Sequence, residues 1–278
     1  MVNGNIIKTW TWALLAILRK DFLVSSKYPV SLLFSIFDTL ISFITIILTA
    51  RFIGLSSGTS PAAARTFESY ILSGIVIYQF LDTVANGFAY SLIVEKNIGT
   101  IERNFTAPLP RFIFLVGMTL YDLGLSFVKI GILILGGKFL FGITFFGSHA
   151  SCFLAFSMLF FMVLMSYGIG FWGAGTAVSS ADPALSLFVL QKPLMVFCGV
   201  YYSIAVLPFL MQCVSLLFPI TYAVDMFRFS ISNHSTIILP QLELMIVVFG
   251  AIFMPICGYI RFKQLEQKYL HEGKLGQF

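Results

Sequence analysis

Six stretches of this chain are each about 20 residues long and almost wholly apolar: Val30 to Ala50, Tyr70 to Val94, Val116 to Phe141, Ser151 to Ala174, Pro183 to Leu207 and Leu242 to Ile260. Runs of that length match the hydrocarbon thickness of a bilayer, where only a helix can satisfy its own backbone polar groups within one segment. The spacing predicts an all-α integral membrane protein of six crossings, a single membrane domain over residues 1–278. Composition agrees. At 58% hydrophobic and 10% charged residues, with a mean hydropathy of +0.94, the chain lacks the polar residues to clothe a water-facing surface.

Residues 1–28 follow a different pattern. Trp10, Leu14, Leu18 and Phe22 recur at helical spacing and Arg19, Lys20 and Asp21 stand near the end, as in a helix lying along the headgroups. The apolar run Trp10 to Leu18 is short and meets Arg19, so it reads as a retained interface helix and not as a cleaved leader. Pro29 then opens the first crossing.

Flanking cations set the orientation. One side collects Lys8, Arg19, Lys20, Lys27, Lys96, Arg103, Arg111, Arg261, Lys263, Lys268 and Lys274, against Arg51, Arg65, Lys138 and Arg228 on the other. By the positive-inside rule both termini, the tail 261–278 and the loop after the second crossing face the cytoplasm. The net charge of +5 is read as meeting phospholipid headgroups, and a nucleic-acid partner is excluded.

Polar residues inside the crossings are costly and therefore informative. Ser35, Asp38, Ser42, Thr45 and Thr49 step by threes and fours along one face of the first crossing. An aspartate at mid-membrane costs about 2.5–3.5 kcal/mol, and thirteen Leu, Ile, Val and Phe residues at roughly 0.3–0.6 kcal/mol each still carry the helix in. The second crossing repeats the seam with Gln79, Asp82, Asn86 and Tyr90, the third with Thr119, Asp122, Ser126 and Lys129. Two readings fit: hydrogen bonds between helices, or the lining of a substrate or ion route. Asp122 and Lys129 read first as a structural pair or as partners of a neighbouring helix.

Several motifs fail on context. Gly168, Gly170 and Gly173 fit G-x-G-x-x-G but follow no strand, so they read as close helix packing. GILILGGKF from Gly131 has the wrong spacing for a phosphate loop, and no nucleotide motif remains. His149, His234 and His271 are scattered. Cys152, Cys198, Cys213 and Cys257 lie far apart and read as small apolar core residues, so no metal site and no catalytic constellation are expected.

One interruption stands out: EKNIGTIERNFTAPLPR, Glu95 to Arg111. Gly99 frees the backbone, Thr100 can cap a short helix with Glu102 in its first turn, and Pro108 and Pro110 stop it. A short rigid cytosolic helix held at both ends by crossings is suited to take a push from a soluble partner.

With the N-terminal amphipathic helix, the order E-K-x-x-G-T-I-E then A-P-L-P-R resembles the type-2 exporter permeases of the ATP-binding-cassette superfamily. A later segment, FPITYAVDMFR from Phe218 to Arg228, is similar to that family's N-P-x-T-Y-x-x-x-x-x-R and is preceded by CGVYYSIAVLP. Phe218 stands where many members carry Asn.

The resemblance implies a half-transporter: two copies of the permease, or one with a paralogue, on two copies of a separate ATPase that binds the ATP and Mg. The chain itself would hold no cofactor and would not be an enzyme. It implies ATPase contact through Arg19, Lys20 and Asp21 of the interface helix and through Glu95, Lys96, Gly99, Thr100, Glu102, Arg103 and Pro108. A pathway lined by the first, second and fifth crossings would include Ser35, Asp38, Ser42, Thr45, Gln79, Asp82 and Asn86. Residues 207–228 would form a re-entrant outer hairpin carrying Pro219, Thr221, Tyr222, Asp225 and Arg228, with Asp225 and Arg228 as an exposed pair. The expected function is ATP-driven export of an amphiphilic, drug-like or lipid-like substrate across the plasma (inner) membrane. Polysaccharide or lipid-linked glycan export within the same family, and an ion-coupled carrier using Asp38, Asp82 and Asp122, are the alternatives.

Overall fold

Proline sets the helix starts. Pro29, Pro61, Pro219 and Pro240 are the first residues of four helices, and Pro110 and Pro208 immediately precede two more. The missing proline N–H is no loss in a first helical turn, and its fixed φ suits one. The computed structural model describes residues 2–56, 61–98, 110–143, 145, 151–179, 189, 192–232 and 235–271, with no strand among them.

In chain order the helices are α1 (Val2–Lys27), α2 (Pro29–Ser56), α3 (Pro61–Ile98), α4 (Arg111–Phe141), α5 (Cys152–Ser179), α6 (Phe209–Leu216), α7 (Pro219–Ser232) and α8 (Pro240–His271). Residues 192–197 are also helical, and Ile204–Val206 form one 3-10 turn. The protein is thus all-α, as the apolar runs predict. Stretches within α2, α3, α4, α5 and α8 are long and apolar enough to cross a membrane, and α6 with α7 forms a pair bent by 90°. The described helices overrun the predicted crossings: α3 begins at Pro61 and continues to Ile98, and α4 begins at Arg111. The first part of the fifth apolar run, Pro183 to Leu207, lies outside the described residues except for Val189, and the run is described from residue 192 onward. Its described helix ends at residue 197, earlier than expected, because Gly199 takes φ +66° and turns the chain away.

At the centre, α5 packs against α3, α7 and α8. Its glycines serve two faces. A Cβ on Gly168 would overlap the Met254 backbone of α8, and one on Gly170 would overlap the Phe88 ring of α3. Close packing, the sequence reading of YGIGFWGAG, is what they provide. Phe171 stacks on Phe88 with centroids 4.8 Å apart and on Phe112 of α4 at 5.6 Å. Cys198 is buried in this core, but Cys152, Cys213 and Cys257 are exposed, which corrects the expectation that all four are core residues.

Helix α1 packs mainly on α4. Trp10, Leu18 and Phe22 of the apolar line are exposed. Leu14 and Ile17 turn inward against the space left by Gly117, and the Phe22 ring meets Tyr121 edge-on with centroids 6.5 Å apart.

Candidate functional site

Three places bring together side chains the fold could use. The first is the end of the bundle where α3 stops, α4 starts and α8 finishes. Lys20 Nζ of α1 lies 3.4 Å from Glu95 Oε1 of α3 and 3.9 Å from Asp21 Oδ1. Three of the residues expected at an ATPase contact, Lys20, Asp21 and Glu95, therefore form one cluster, and Arg19 is exposed beside it. Burial pushes the Asp21 carboxyl up, the Lys20 ammonium pulls it back, and Glu95 raises it further. Lys96 lies on α3, but its side chain, like Gly99, Thr100, Glu102, Arg103 and Pro108, falls outside the described residues, as does the short helix expected there.

Where the chain returns, Arg111 Nε donates to Glu266 Oε1 of α8 at 2.8 Å. An ion pair therefore brackets each side of residues 96–110: Lys20–Glu95 before, Arg111–Glu266 after. The second pair escaped the sequence reading. Its partners are 155 residues apart, and no local spacing points to Glu266.

The second place is the seam. Asp82 Oδ1 accepts from Tyr78 Oη at 2.7 Å and from Asn86 Nδ2 at 2.8 Å, both on α3. The charge of Asp38 acts on Asp82 across α2 and α3, and Lys129 acts on both from α4. Gln79 reaches Thr83 at 3.3 Å, and Thr83 shares a hydrogen bond of 2.7 Å with Ser126 of α4. Thr119 donates to Tyr167 of α5. For Thr119 and Ser126 the interhelical-bond reading holds. On α2, Ser35 is half-buried while Asp38, Ser42 and Thr45 are exposed, and the Thr45 hydroxyl bonds back to the Ile41 carbonyl at 2.8 Å. The α2 face with Asp38 and Ser42 is thus uncovered within one chain.

The third place is the opposite end. Pro219 opens α7 directly after the elbow, and the next residues lock it to α6: Thr221 Oγ1 donates to the Ser215 carbonyl at 2.7 Å and Tyr222 Oη to the Leu216 carbonyl at 2.9 Å. These are carbonyls that the last turn of α6 cannot pair itself. The P-x-T-Y motif is therefore the mechanical joint of a helical hairpin.

Arg228 completes it. Its Nη1 donates to Tyr70 Oη and to the Gly199 carbonyl, both at 2.8 Å; Nη2 donates to the Val200 carbonyl at 2.6 Å and Nε to Ser73 Oγ at 3.3 Å. The guanidinium carbon also sits 3.7 Å from the Tyr70 ring centroid. The expectation of an exposed Asp225–Arg228 pair is corrected: Arg228 is only 3% exposed, and Asp225 Oδ2 accepts the Ile237 N–H at 2.9 Å. A cationic fork suits this place because the turn at 198–201 offers bare carbonyls that α3 and α7 cannot pair. Nearby, Arg51 at the end of α2 grips buried Glu68 through two bonds of 2.6 and 3.1 Å and the Phe141 carbonyl at 2.7 Å, joining α2, α3 and α4.

No group of three or more metal-ligating side chains occurs among the described residues. Residues 13–231 match the ABC-2 type transporter family. An inner membrane transport permease of Escherichia coli K12, YadH, is 26% identical over 192 residues, which cover 69% of this chain and 73% of that protein. YadH of Shigella flexneri matches to the same extent.

Proposed function

Since the chain belongs to the ABC-2 type transporter family and is a membrane permease, we propose that it is the membrane-spanning half of an ATP-driven exporter for an amphiphilic, drug-like or lipid-like substrate. A separate ATPase subunit, present twice, binds ATP and Mg and grips residues 95–111 from the cytosol. Both termini are cytoplasmic and the membrane is the inner membrane, as the cation distribution and the named relatives suggest.

The observation that carries this reading is the Lys20–Glu95 contact. It joins the interface helix to the leading end of the charged interruption, so a load on either moves both. Arg111–Glu266 ties the trailing end to α8 in the same way. The uncovered polar face of α2 supports pairing with a second membrane subunit, because Asp38 and Ser42 would otherwise meet lipid. The seam of Asp38, Gln79, Asp82 and Asn86 would then line the route between subunits.

Purification of the tagged chain from its own host membrane, followed by ATP-dependent substrate uptake in inside-out vesicles, tests the reading. A co-purifying ATPase and ATP-dependent uptake are expected; uptake that follows an ion gradient and ignores ATP would overturn it. Lys20 is half-exposed, so its bond to Glu95 contributes no more than about 1 kcal/mol to stability. Glu95 is mostly buried, so Glu95→Lys, which sets a second ammonium beside Lys20, is expected to lower ATP-dependent uptake at least tenfold, and the exchanged pair Lys20→Glu with Glu95→Lys to recover most of the uptake together with any thermal stability lost. Equal uptake by the single variant and the parent would remove the ion pair from the coupling route.

A further inference from the structure

We infer that the cleft between α5, α8, Val189, Pro193 and Leu194 holds an acyl chain of an anionic phospholipid whose phosphate is bound by Arg261. The cleft has a volume of about 530 Å³, and apart from Arg261 its walls are apolar, including Trp172, Leu194, Phe218, Phe253 and Cys257. Arg261 and Phe253 are eight residues apart on α8, about 12 Å along a helix axis. Gly168 and Gly258, whose helices approach too closely there for a side chain, line its floor.

The two ends differ chemically. Phe218, at the α6–α7 elbow, and Phe253 close the apolar end, while Trp172, 46% exposed, and Arg261 stand at the other. Tryptophan and arginine are the side chains that settle at headgroup level. Among the described residues the Arg261 guanidinium bonds only Gln264 Oε1 at 3.3 Å and meets no carboxylate. Lys263 and Lys268, both exposed, add positive charge beyond it on the same helix. A cation at the mouth of an apolar slot in a membrane-crossing bundle complements one negatively charged headgroup above one hydrocarbon tail. A zwitterionic lipid would supply the tail without the net charge. The topology proposed above decides only the leaflet, which would be the cytoplasmic one.

Trp172 reports on this cleft directly once Trp10 and Trp12 are changed to Phe, because the chain has three tryptophans. The whole permease carrying those two changes is reconstituted in phosphatidylcholine vesicles with increasing fractions of either phosphatidylglycerol or phosphatidylcholine brominated on the acyl chain. Brominated phosphatidylglycerol is expected to half-quench Trp172 at a mole fraction at least threefold below that of brominated phosphatidylcholine. Arg261→Gln should bring the two curves together without moving the phosphatidylcholine curve, which also checks that the fold is kept. Cys257→Phe, which fills the slot, should shift both to higher fractions. Coincident curves in the parent, or a preference that survives Arg261→Gln, would overturn the inference. No ATPase takes part, so either result leaves the transport reading untouched.

Discussion

Arg228→Ala is expected to destabilise the permease by about 3–5 kcal/mol, because it orphans several buried acceptors at about 1–3 kcal/mol each. Four hydrogen bonds end on this guanidinium, and two of them satisfy the main-chain carbonyls of Gly199 and Val200. An orphaned buried acceptor costs about 1–3 kcal/mol, so the two carbonyls alone reach the lower part of that range before the Ser73 and Tyr70 hydroxyls are considered. Lysine keeps the charge but has three donors on one nitrogen and cannot reach a fork of four acceptors, so Arg228→Lys should recover only part of the loss. Thermal unfolding of the detergent-solubilised chain measures both. A change below about 0.5 kcal/mol for Arg228→Ala, the level of ordinary surface substitutions, would show that the hairpin is not held there.

Gly258→Ala is the second large effect. In a helix interior, alanine normally gains about 0.5–1 kcal/mol over glycine. Here the new Cβ would overlap the Gly168 carbonyl of α5, a backbone atom that cannot rotate away. Helix α8 would have to lift from α5 along one of the main interfaces of the bundle, and overpacking of that kind costs about 1–3 kcal/mol or slightly more. A net loss of about 1–2 kcal/mol is expected. Gly131→Ala on α4 is the contrast, because nothing lies within 4 Å of its added carbon and a small gain is expected. If both changes unfold at the same temperature, close approach of α5 and α8 is not what these glycines provide.

Much of this architecture is legible in the order of residues. Apolar runs of bilayer length and a proline at each of several helix starts announce α2, α3, α4, α5 and α8, because inside lipid only a helix pairs its backbone within one segment. The glycine pattern of α5 announces close packing for the same reason. What the order of residues conceals is contact over distance. Lys20 and Glu95 are singled out separately by charge and position, yet their meeting depends on how α1 leans on α4, which Gly117 and Ile17 decide. Arg111–Glu266 and Arg51–Glu68 carry no local spacing at all. Arg228 misleads in an instructive way: an aspartate three residues before it suggests a surface pair, whereas the unpaired carbonyls of a distant turn at Gly199 and Val200 draw the guanidinium into the core. The motif P-I-T-Y is the converse case, since Thr221 and Tyr222 act on carbonyls only six residues earlier and so remain visible as a short local string.

On the proposed function, residues 95–111 are a handle on the cytosolic side, gripped by an ATPase. Glu102→Cys, in a chain whose four native cysteines are replaced by alanine, exposes that handle to a membrane-impermeant maleimide. Labelling is expected in inside-out vesicles and not in right-side-out ones, with protection when the ATPase is bound. Labelling of intact right-side-out vesicles would place the handle outside the cell and contradict the account.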